Sequence, residues 1–214
     1  IAGNMGSTKR FNYTVMGPEV DFGEHMESSG KTYGTQITTT EFTKAEAEEH
    51  VITRFLDITR ASAYDRPVKI YEVLARTTGG LPDLKRECVN LHEEAALLFF
   101  QRRFDEAMEK AGRIFRLFPE NKDREGLVVP VVLGSVEEAM AFYHAGKFDE
   151  AIKIMNGKID YNNYPKAAAE EMIVKFLHPT CKLISRVIEA KANPPDESFD
   201  RLLEEAHHRK GLTF

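Results

Sequence analysis

Two ionisable side chains stand close together near the start of the sequence. Between Gly17 and Glu27, the acid Asp21 precedes the imidazole of His25 by four residues. An ionised aspartate can only accept hydrogen bonds, and an ordinary histidine is mostly neutral at pH 7. This pair therefore lacks the permanent positive charge with which an arginine would hold an anionic ligand.

Other signatures of catalytic or metal sites are missing from the sequence. The remaining histidines have no metal-ligand spacing to acidic or thiol side chains; they are His50, His92, His144, His178, His207 and His208. No Ser-His-Asp arrangement and no phosphate-binding glycine loop is visible. Cys88 and Cys181 also lack ligand spacing, and we expect them to be reduced thiols of a cytosolic protein. The sequence therefore predicts neither a metal site nor a cofactor within this chain.

The elements that would position Asp21 and His25 are predicted to be a mixture of strands and helices. Aromatic and β-branched runs predict strands over Phe11–Gly17, Thr35–Thr38, Val51–Thr59 and Val68–Leu74. Apolar spacing and capping residues predict helices over Glu19–Tyr33 and Lys44–His50, the latter capped by Thr40 or Thr43. This β-α-β-α-β-β order predicts an α+β layer structure, with the helices on one face of a sheet.

The sequence changes character near Thr77–Gly80, beyond which nearly every segment is typical of helix. Predicted helices cover Leu84–Gln101, Phe104–Leu117, Ser135–His144, Phe148–Met155, Lys166–Ala192 and Ser198–His208. Pro179 lies within the longest of these helices and should kink or break it. The stretch Thr77–Pro82 is typical of a linker. We therefore expect one domain over residues 1–77 and a second, all-α domain over residues 78–214.

Internal repetition marks the second part of the chain. The tetrapeptide Phe-Asp-Glu-Ala occurs at Phe104–Ala107 and again, 44 residues later, at Phe148–Ala151. A small residue lets the neighbouring helix approach closely, which is how stacked helix pairs pack. The surrounding sequence resembles tetratricopeptide repeats, whose small positions match Ala95, Ala107, Ala139 and Ala151. The spacing exceeds their usual length of about 34 residues, and the signature tryptophan is missing. The resemblance implies a surface for a protein or peptide partner; a generic helical bundle is the alternative.

Composition bears on the class of function. Hydrophobic residues make up 42% and charged residues 29% of the chain, enough for a core without disulfides or metals. The net charge of −5 argues against nucleic acid as the main partner, because a phosphate-binding face usually has a basic excess. No apolar run approaches the roughly 20 residues that cross a bilayer, so we expect a cytoplasmic chain. Because it begins with Ile1, we expect a fragment of a longer signalling protein, either cytosolic or membrane-bound.

Residues 1–77 resemble the second half of the catalytic domain of class III adenylate and guanylate cyclases. The resemblance lies in the order and spacing of short segments: Gly3–Ser7, Tyr13–Gly17, Met26–Glu27, Lys31–Thr35, Phe55–Asp57 and Arg66–Glu72. Gly3–Ser7 resembles a glycine turn of the family, and Tyr13–Gly17 resembles the strand that follows it. The resemblance implies part of a cyclase-type, ferredoxin-like sheet with helices, followed here by the all-α repeat domain.

In this family two cyclase domains pair head to tail and form the active site between them. The resemblance therefore implies another cyclase domain as a partner, in a homodimer or a heterodimer, and ATP as a possible ligand. The two aspartates that hold divalent metals belong to the first half of the domain, which this sequence does not contain. We therefore assign no metal ligand here, and we expect Mg²⁺ or Mn²⁺ only if an intact first half precedes Ile1.

The half-site within this chain departs from the family pattern Gly-Asp-x-Val-Asn-x-Ala-x-Arg-x-Glu. Gly17, Val20 and Glu27 match it, whereas the Asp, Asn and Arg positions are occupied by Pro18, Asp21 and His25. Ser62 stands near the position of a family lysine that contacts the triphosphate. Thr14 stands at the family position whose side chain recognises the edge of the purine base. Cyclisation builds negative charge on phosphate oxygens, so its transition state needs donors and cations. A carboxylate about 4 Å from a phosphate instead adds a repulsion of about 4 kcal/mol at an effective dielectric of about 20.

These substitutions favour a degenerate cyclase module that binds or regulates without catalysing. The alternative is a working adenylate cyclase that converts ATP to cyclic AMP, with an intact catalytic half before Ile1. A third possibility is an interaction scaffold, in which the repeats carry the function and the cyclase-like part is a folding platform. The candidate site residues are Asp21 and His25 at substituted catalytic positions, with Thr14 and Ser62 at nucleotide-binding positions.

Overall fold

The computed structural model describes residues 1–7, 10–60, 67–118, 128–158, 168–197, 199 and 201. Within these ranges the chain is a mixed α+β protein, as the sequence predicted. The strands are β1 (Ala2–Ser7), β2 (Arg10–Val15), β3 (Thr38–Thr40), β4 (Val51–Thr59) and β5 (Val68–Arg76). The helices are α1 (Pro18–Tyr33), α2 (Glu41–Ala47), α3 (Asp83–Phe100), α4 (Phe104–Arg116), α5 (Val128–His144), α6 (Phe148–Lys158) and α7 (Ala168–Ala192). A short 3-10 turn, Thr77–Gly79, lies in the predicted linker.

β1 and β2 form an antiparallel hairpin that is separate from the other described strands. The prediction of a glycine turn over Gly3–Ser7 was wrong, because these residues lie in a strand. Their partner β2 is rich in aromatic and β-branched residues, and it supplies a regular ladder from Ala2 opposite Val15 to Ser7 opposite Arg10. The strands therefore belong to two sheets, whereas the sequence predicted one.

The second sheet has the order β3-β5-β4 and is antiparallel throughout. β3 is displaced along the chain and shares only Thr38 with the predicted strand. α2 begins at Glu41, earlier than predicted, because Thr40 is the residue that caps it. The Thr40 hydroxyl oxygen accepts a hydrogen bond from the Thr43 N–H at 3.3 Å. These shifts reflect a threonine-rich stretch in which the sequence offers several equivalent caps.

Helices cover both faces of the three-stranded sheet, whereas the sequence predicted them on one face. One face packs on α1, through the buried side chains Phe22, Met26, Leu56, Val68 and Ile70. On the other face, Phe55 and Tyr71 belong to the main core with α3 to α7. Phe55 meets Phe100 of α3 edge-on, with ring centroids 5.9 Å apart. β4 and β5 therefore bury apolar side chains on both sides of the sheet.

The pairs α3–α4 and α5–α6 turn in the same way, as the repeated tetrapeptide predicts. The middle residue of each turn has a positive φ, 59° at Arg102 and 72° at Gly146. Equivalent backbone hydrogen bonds of 2.9 or 3.0 Å close both turns: Arg102 to Phe99, Arg103 to Leu98, Gly146 to Tyr143 and Lys147 to Phe142. The repetition therefore extends from the sequence to the backbone geometry of two helix pairs.

α7 runs through Pro179 as one helix, so the predicted break was wrong, whereas a kink at this proline stays a prediction. Proline has no N–H to donate within the helix, yet the surrounding core holds the backbone in place. Arg54 Nη1 of β4 donates to the Phe176 carbonyl oxygen at 2.7 Å, three residues before the proline. Leu177 and Ile184 on either side are fully buried. Tertiary packing overrides the local preference here.

The main core is continuous across the predicted boundary between residues 77 and 78. Phe55, Ile58 and Tyr71 share one hydrophobic cluster with the helices that follow them. The division into two domains stays a prediction. The helix predicted over Ser198–His208 lies mostly outside the described residues. Phe199 within it is helical, and its ring stacks on Phe100 with centroids 5.8 Å apart.

Candidate functional site

The start of α1 explains two residues of the motif that contains Asp21 and His25. Gly17 has φ 150° and ψ 168°, a backbone conformation that is essentially confined to glycine. Its carbonyl oxygen accepts from the N–H groups of Val20 at 3.0 Å and Asp21 at 3.1 Å. Pro18 occupies the first turn, where a helix needs no N–H donor. Gly17 and Pro18 therefore both serve to begin the helix.

The His25 side chain attaches α1 to β4. Its Nε2 lies 2.9 Å from the Thr59 hydroxyl oxygen, within hydrogen-bond distance. Its ring stacks on the buried Phe22, with centroids 6.1 Å apart and an interplanar angle of 29°. The imidazole is thus half-buried and engaged in a contact within the fold.

Asp21 lies one turn before His25 and is exposed to solvent, as are its neighbours Glu19 and Glu24. Carboxylates in the first turn of a helix are favourable, because the amino end of the helix dipole is positive. The same charges repel an incoming phosphate. The first two turns of α1 therefore suit the helix itself better than they suit a polyphosphate.

Thr14 lies on a different element from this helix. Thr14 lies in β2 opposite Gly3 and is exposed. Because side chains alternate along a strand, it is on the opposite face of the hairpin from Tyr13 and Val15. Ser62 lies outside the described residues. The structure therefore places Asp21 and His25 on successive turns of α1 and leaves Thr14 on a separate hairpin.

A groove of about 490 Å³ runs beside α1 and the loop that follows it. Its lining includes Gly23, Gly30, Lys31 and Thr35. Lys31 is paired with Glu27, its Nζ lying 2.7 Å from the Glu27 Oε1. None of Thr14, Asp21 and His25 lines the groove. The groove and the predicted half-site are therefore different features of the same helix.

A junction centred on Asp57 was not predicted as a functional site. Its Oδ1 lies 2.7 Å from Arg186 Nη1 and accepts the Ile58 N–H at 2.7 Å, while its Oδ2 accepts from the Tyr33 hydroxyl. Burial first, and then the neighbouring Asp57 carboxylate, raises the pKa of Tyr33 well above its usual value. The phenol therefore stays protonated as a donor. An aspartate inside a strand, where that residue is depleted, is the sequence signal that could have indicated the junction.

A second polar cluster is buried where β4, α3 and α7 meet. His92 Nε2 lies 3.0 Å from the Phe55 carbonyl oxygen, and its Nδ1 lies 3.1 Å from the Thr180 hydroxyl oxygen. The neutral tautomer with a proton on Nε2 satisfies both contacts. Burial, and to a lesser extent the Arg54 charge, lowers the pKa of His92 to about 3. Arg54 itself is buried and donates to Glu72 from Nε at 3.0 Å. No spacing in the sequence indicated this cluster.

Cys88 and Cys181 are separate, buried free thiols. Burial raises the pKa of Cys88 to about 11 and that of Cys181 to about 12. Since the thiolate is the reactive form, neither side chain has the character of a catalytic nucleophile. Their arrangement agrees with the reduced thiols that the sequence predicted.

Among the described residues, no group of three or more His, Cys, Asp or Glu side chains is placed to hold a metal ion. No helix in the described part of the chain has both the length and the apolar character needed to span a membrane. Comparisons with family models, with curated proteins and with solved structures yield no match to this chain. The side chains of α1 and the repeated helix pairs are therefore the features from which a function can be argued.

Proposed function

We propose that this chain is the second half of a class III cyclase-homology domain, joined to a helical-repeat region, and that its half-site does not catalyse. In this role it pairs with another cyclase domain in cytosolic signalling, and its repeats bind a protein or peptide partner. The order of the short motifs in residues 1–77 supports the family, and the charge of α1 supports the loss of catalysis.

The observation that carries the proposal is the state of Asp21 and His25. The transition state of cyclisation places negative charge on phosphate oxygens, and the family meets it with an amide and a guanidinium. Here the first position is an exposed carboxylate, and the second is an imidazole engaged with Thr59. Losing one such donor typically costs about 10²–10³ in rate. Two losses that act on one charge are not additive, but together they are expected to be severe.

The geometry of the helix pairs supports an interaction role for the second part. The small positions of the repeat are fully buried, each 0% exposed: Ala95, Ala107, Ala139 and Ala151. Helices can approach closely at such positions, as they do in stacked helical repeats. The two equivalent turns support the same interpretation. Repeat arrays of this kind commonly present extended surfaces to peptides or partner helices.

A reconstitution assay tests the catalytic part of the proposal. The chain would be mixed with ATP or GTP and Mn²⁺, together with a cyclase domain that has intact metal aspartates but disabled Asn and Arg positions. We expect no cyclic nucleotide beyond that made by the disabled domain alone. Clear turnover by the wild-type chain in this mixture would refute the proposal and favour a working cyclase.

Restoring the family residues tests the assignment of the half-site. In the same mixture, the double variant Asp21→Asn/His25→Arg should bind a non-hydrolysable ATP analogue at least about tenfold more tightly than the wild type, because a repulsion becomes an attraction. Glu24→Gln is the control, since it removes one negative charge from the exposed face of the same helix, half the charge change of the double variant. An equal gain from Glu24→Gln, measured by calorimetry, would show that net charge matters and that Asp21 and His25 hold no special place.

A further inference from the structure

Asp57 lies where the sheet, α1 and α7 come together. β4 is an edge strand of its sheet, so helices on both faces can reach its side chains around the edge. A β-bulge between Phe55 and Asp57 changes the alternation of side chains in β4. After the bulge, Asp57 faces the side of the sheet on which α1 packs, opposite Ile70 of β5.

The Asp57 carboxylate is shared between α1 and α7. Tyr33, in the last turn of α1, donates its hydroxyl to one oxygen, and Arg186 of α7 pairs with the other at 2.7 Å. The Asp57 side chain is only 13% exposed and that of Arg186 30%. Hydrogen bonds to an ionised partner are stronger than neutral ones, and shielding from water increases their effect. Moving either helix would therefore break its own contact with a carboxylate that the other helix also uses.

Arg186 is also seated on the first helix pair. Its guanidinium carbon lies 4.8 Å from the centre of the Phe99 ring and 5.8 Å from that of Phe100. Both rings belong to the end of α3, next to the turn whose backbone geometry recurs in the second helix pair. A cation over an aromatic face is attracted to it, so α3 helps to fix the position of this guanidinium. The packing of α3 against α7 thereby sets where Arg186 meets Asp57.

We infer that Asp57 is the joint through which the helical region, α3 to α7, sets the position of α1. α1 is attached to β4 at two points, His25 on Thr59 and Tyr33 on Asp57, and the second point reaches α7 through Arg186. A partner that changed the packing of α3 on α7 would shift α1, and with it the half-site. As a means of regulation this inference rests on the proposed function; as a coupling between helices it stands on these contacts.

Amide hydrogen exchange on the full chain tests the coupling. The variant Arg186→Met keeps the length and apolar contacts of the side chain but removes its charge. We expect exchange in the second half of α1 to speed up by about fivefold or more, the lower end of usual coupling strengths, while β5 keeps its protection. Unchanged exchange in α1 would overturn the inference, and so would an equal acceleration in every element.

Lys191→Met is the matched control. Lys191 lies on the same helix and pairs with Asp105 of α4 at 2.8 Å, so its loss removes a cation and an ion pair without touching α1. Exchange in α1 should not respond to it. An equal response of α1 to both variants would overturn the inference, because any damage to α7 would then suffice.

Tyr33→Phe provides a second test that removes only one hydroxyl. Coupling is reciprocal, so this variant should speed exchange in α7 around Arg186, and the double variant should show less than the product of the two single effects. Multiplicative effects would refute the coupling. These outcomes are independent of catalysis. Turnover of ATP would refute the proposed function without affecting the coupling at Asp57. Independent exchange behaviour of α1 and α7 would refute only the coupling.

Discussion

Acidification from pH 7 to about pH 5 should weaken the fold through His92. The pKa of this buried side chain is about 3 in the folded chain, whereas an ordinary histidine titrates near 6.5. Between these two values the unfolded chain binds a proton that the folded chain does not bind. Unfolding then takes up a proton, so stability falls as the pH falls. The loss begins as the pH drops through about 6.5 and continues down to about 3.

The size of this effect follows from the gap between the two pKa values. Each pH unit within the gap is worth about 1.4 kcal/mol for one proton. From pH 7 to about pH 5 the loss from His92 is about 2 kcal/mol, because part of the interval lies above the ordinary pKa. The contacts of His92 agree with a lowered pKa, since its Nδ1 accepts from the Thr180 hydroxyl and the Arg54 guanidinium opposes a second positive charge.

Urea unfolding at pH 7, 6 and 5, followed by circular dichroism, measures the effect in the wild type and in His92→Gln. Glutamine does not titrate, and its amide can still donate to the Phe55 carbonyl. The variant should be less stable at pH 7 by about 1–3 kcal/mol, the cost of an imperfect buried hydrogen bond. Between pH 7 and about pH 5, however, its free energy of unfolding should fall by about 2 kcal/mol less than that of the wild type. The exposed His50→Gln is the control, and parallel curves for the wild type and His92→Gln would refute the reasoning.

Two further substitutions, each paired with a control substitution, test the structure. Arg54→Met should lower the free energy of unfolding by about 3–5 kcal/mol, because Glu72 would keep its charge in a largely buried place. Arg103→Met, which removes an exposed ion pair, should leave the urea midpoint nearly unchanged, and equal losses would contradict the assigned role of Arg54. Gly17→Ala should cost about 1–3 kcal/mol in the same assay, because its φ of 150° is strained for alanine. Gly23→Ala, within α1 and with open space around the added methyl group, should instead gain about 0.5–1 kcal/mol; a gain at both positions would disprove the conformation of Gly17.

The sequence located most elements because their signals are local. α1 was predicted within a residue of its observed bounds, since its apolar spacing, Pro18 and the terminal Gly34 act over a few residues. β4 was predicted with its observed bounds for the same reason. β1 was missed because its glycines carry no strand preference and its order comes from pairing with β2. The break expected at Pro179 did not occur, and residues distant in sequence, such as Arg54 on the Phe176 carbonyl, pack against that part of α7.

The candidate half-site shows the same division. Asp21 and His25 were predicted to lie one turn apart on a helix, and they do. The engagement of His25 with Thr59 could not be predicted, because the two residues are 34 positions apart and meet only after α1 packs on the sheet. Whether the half-site has lost catalysis stays a prediction, as does the family to which residues 1–77 are assigned.

The sequence by itself determined the mixed composition of elements, the helix that carries Asp21 and His25, and the repeated helix pairs, because capping, periodicity and small-residue spacing are properties of neighbouring residues. Only the tertiary structure decided that helices cover both faces of the sheet, that Asp57 contacts both α1 and α7, and that His92 contacts both β4 and α7. Such contacts depend on a bulge in β4 and on the burial of charges by elements far away in the chain. Burial and partner choice are collective properties of the packed chain, so no local pattern could specify them.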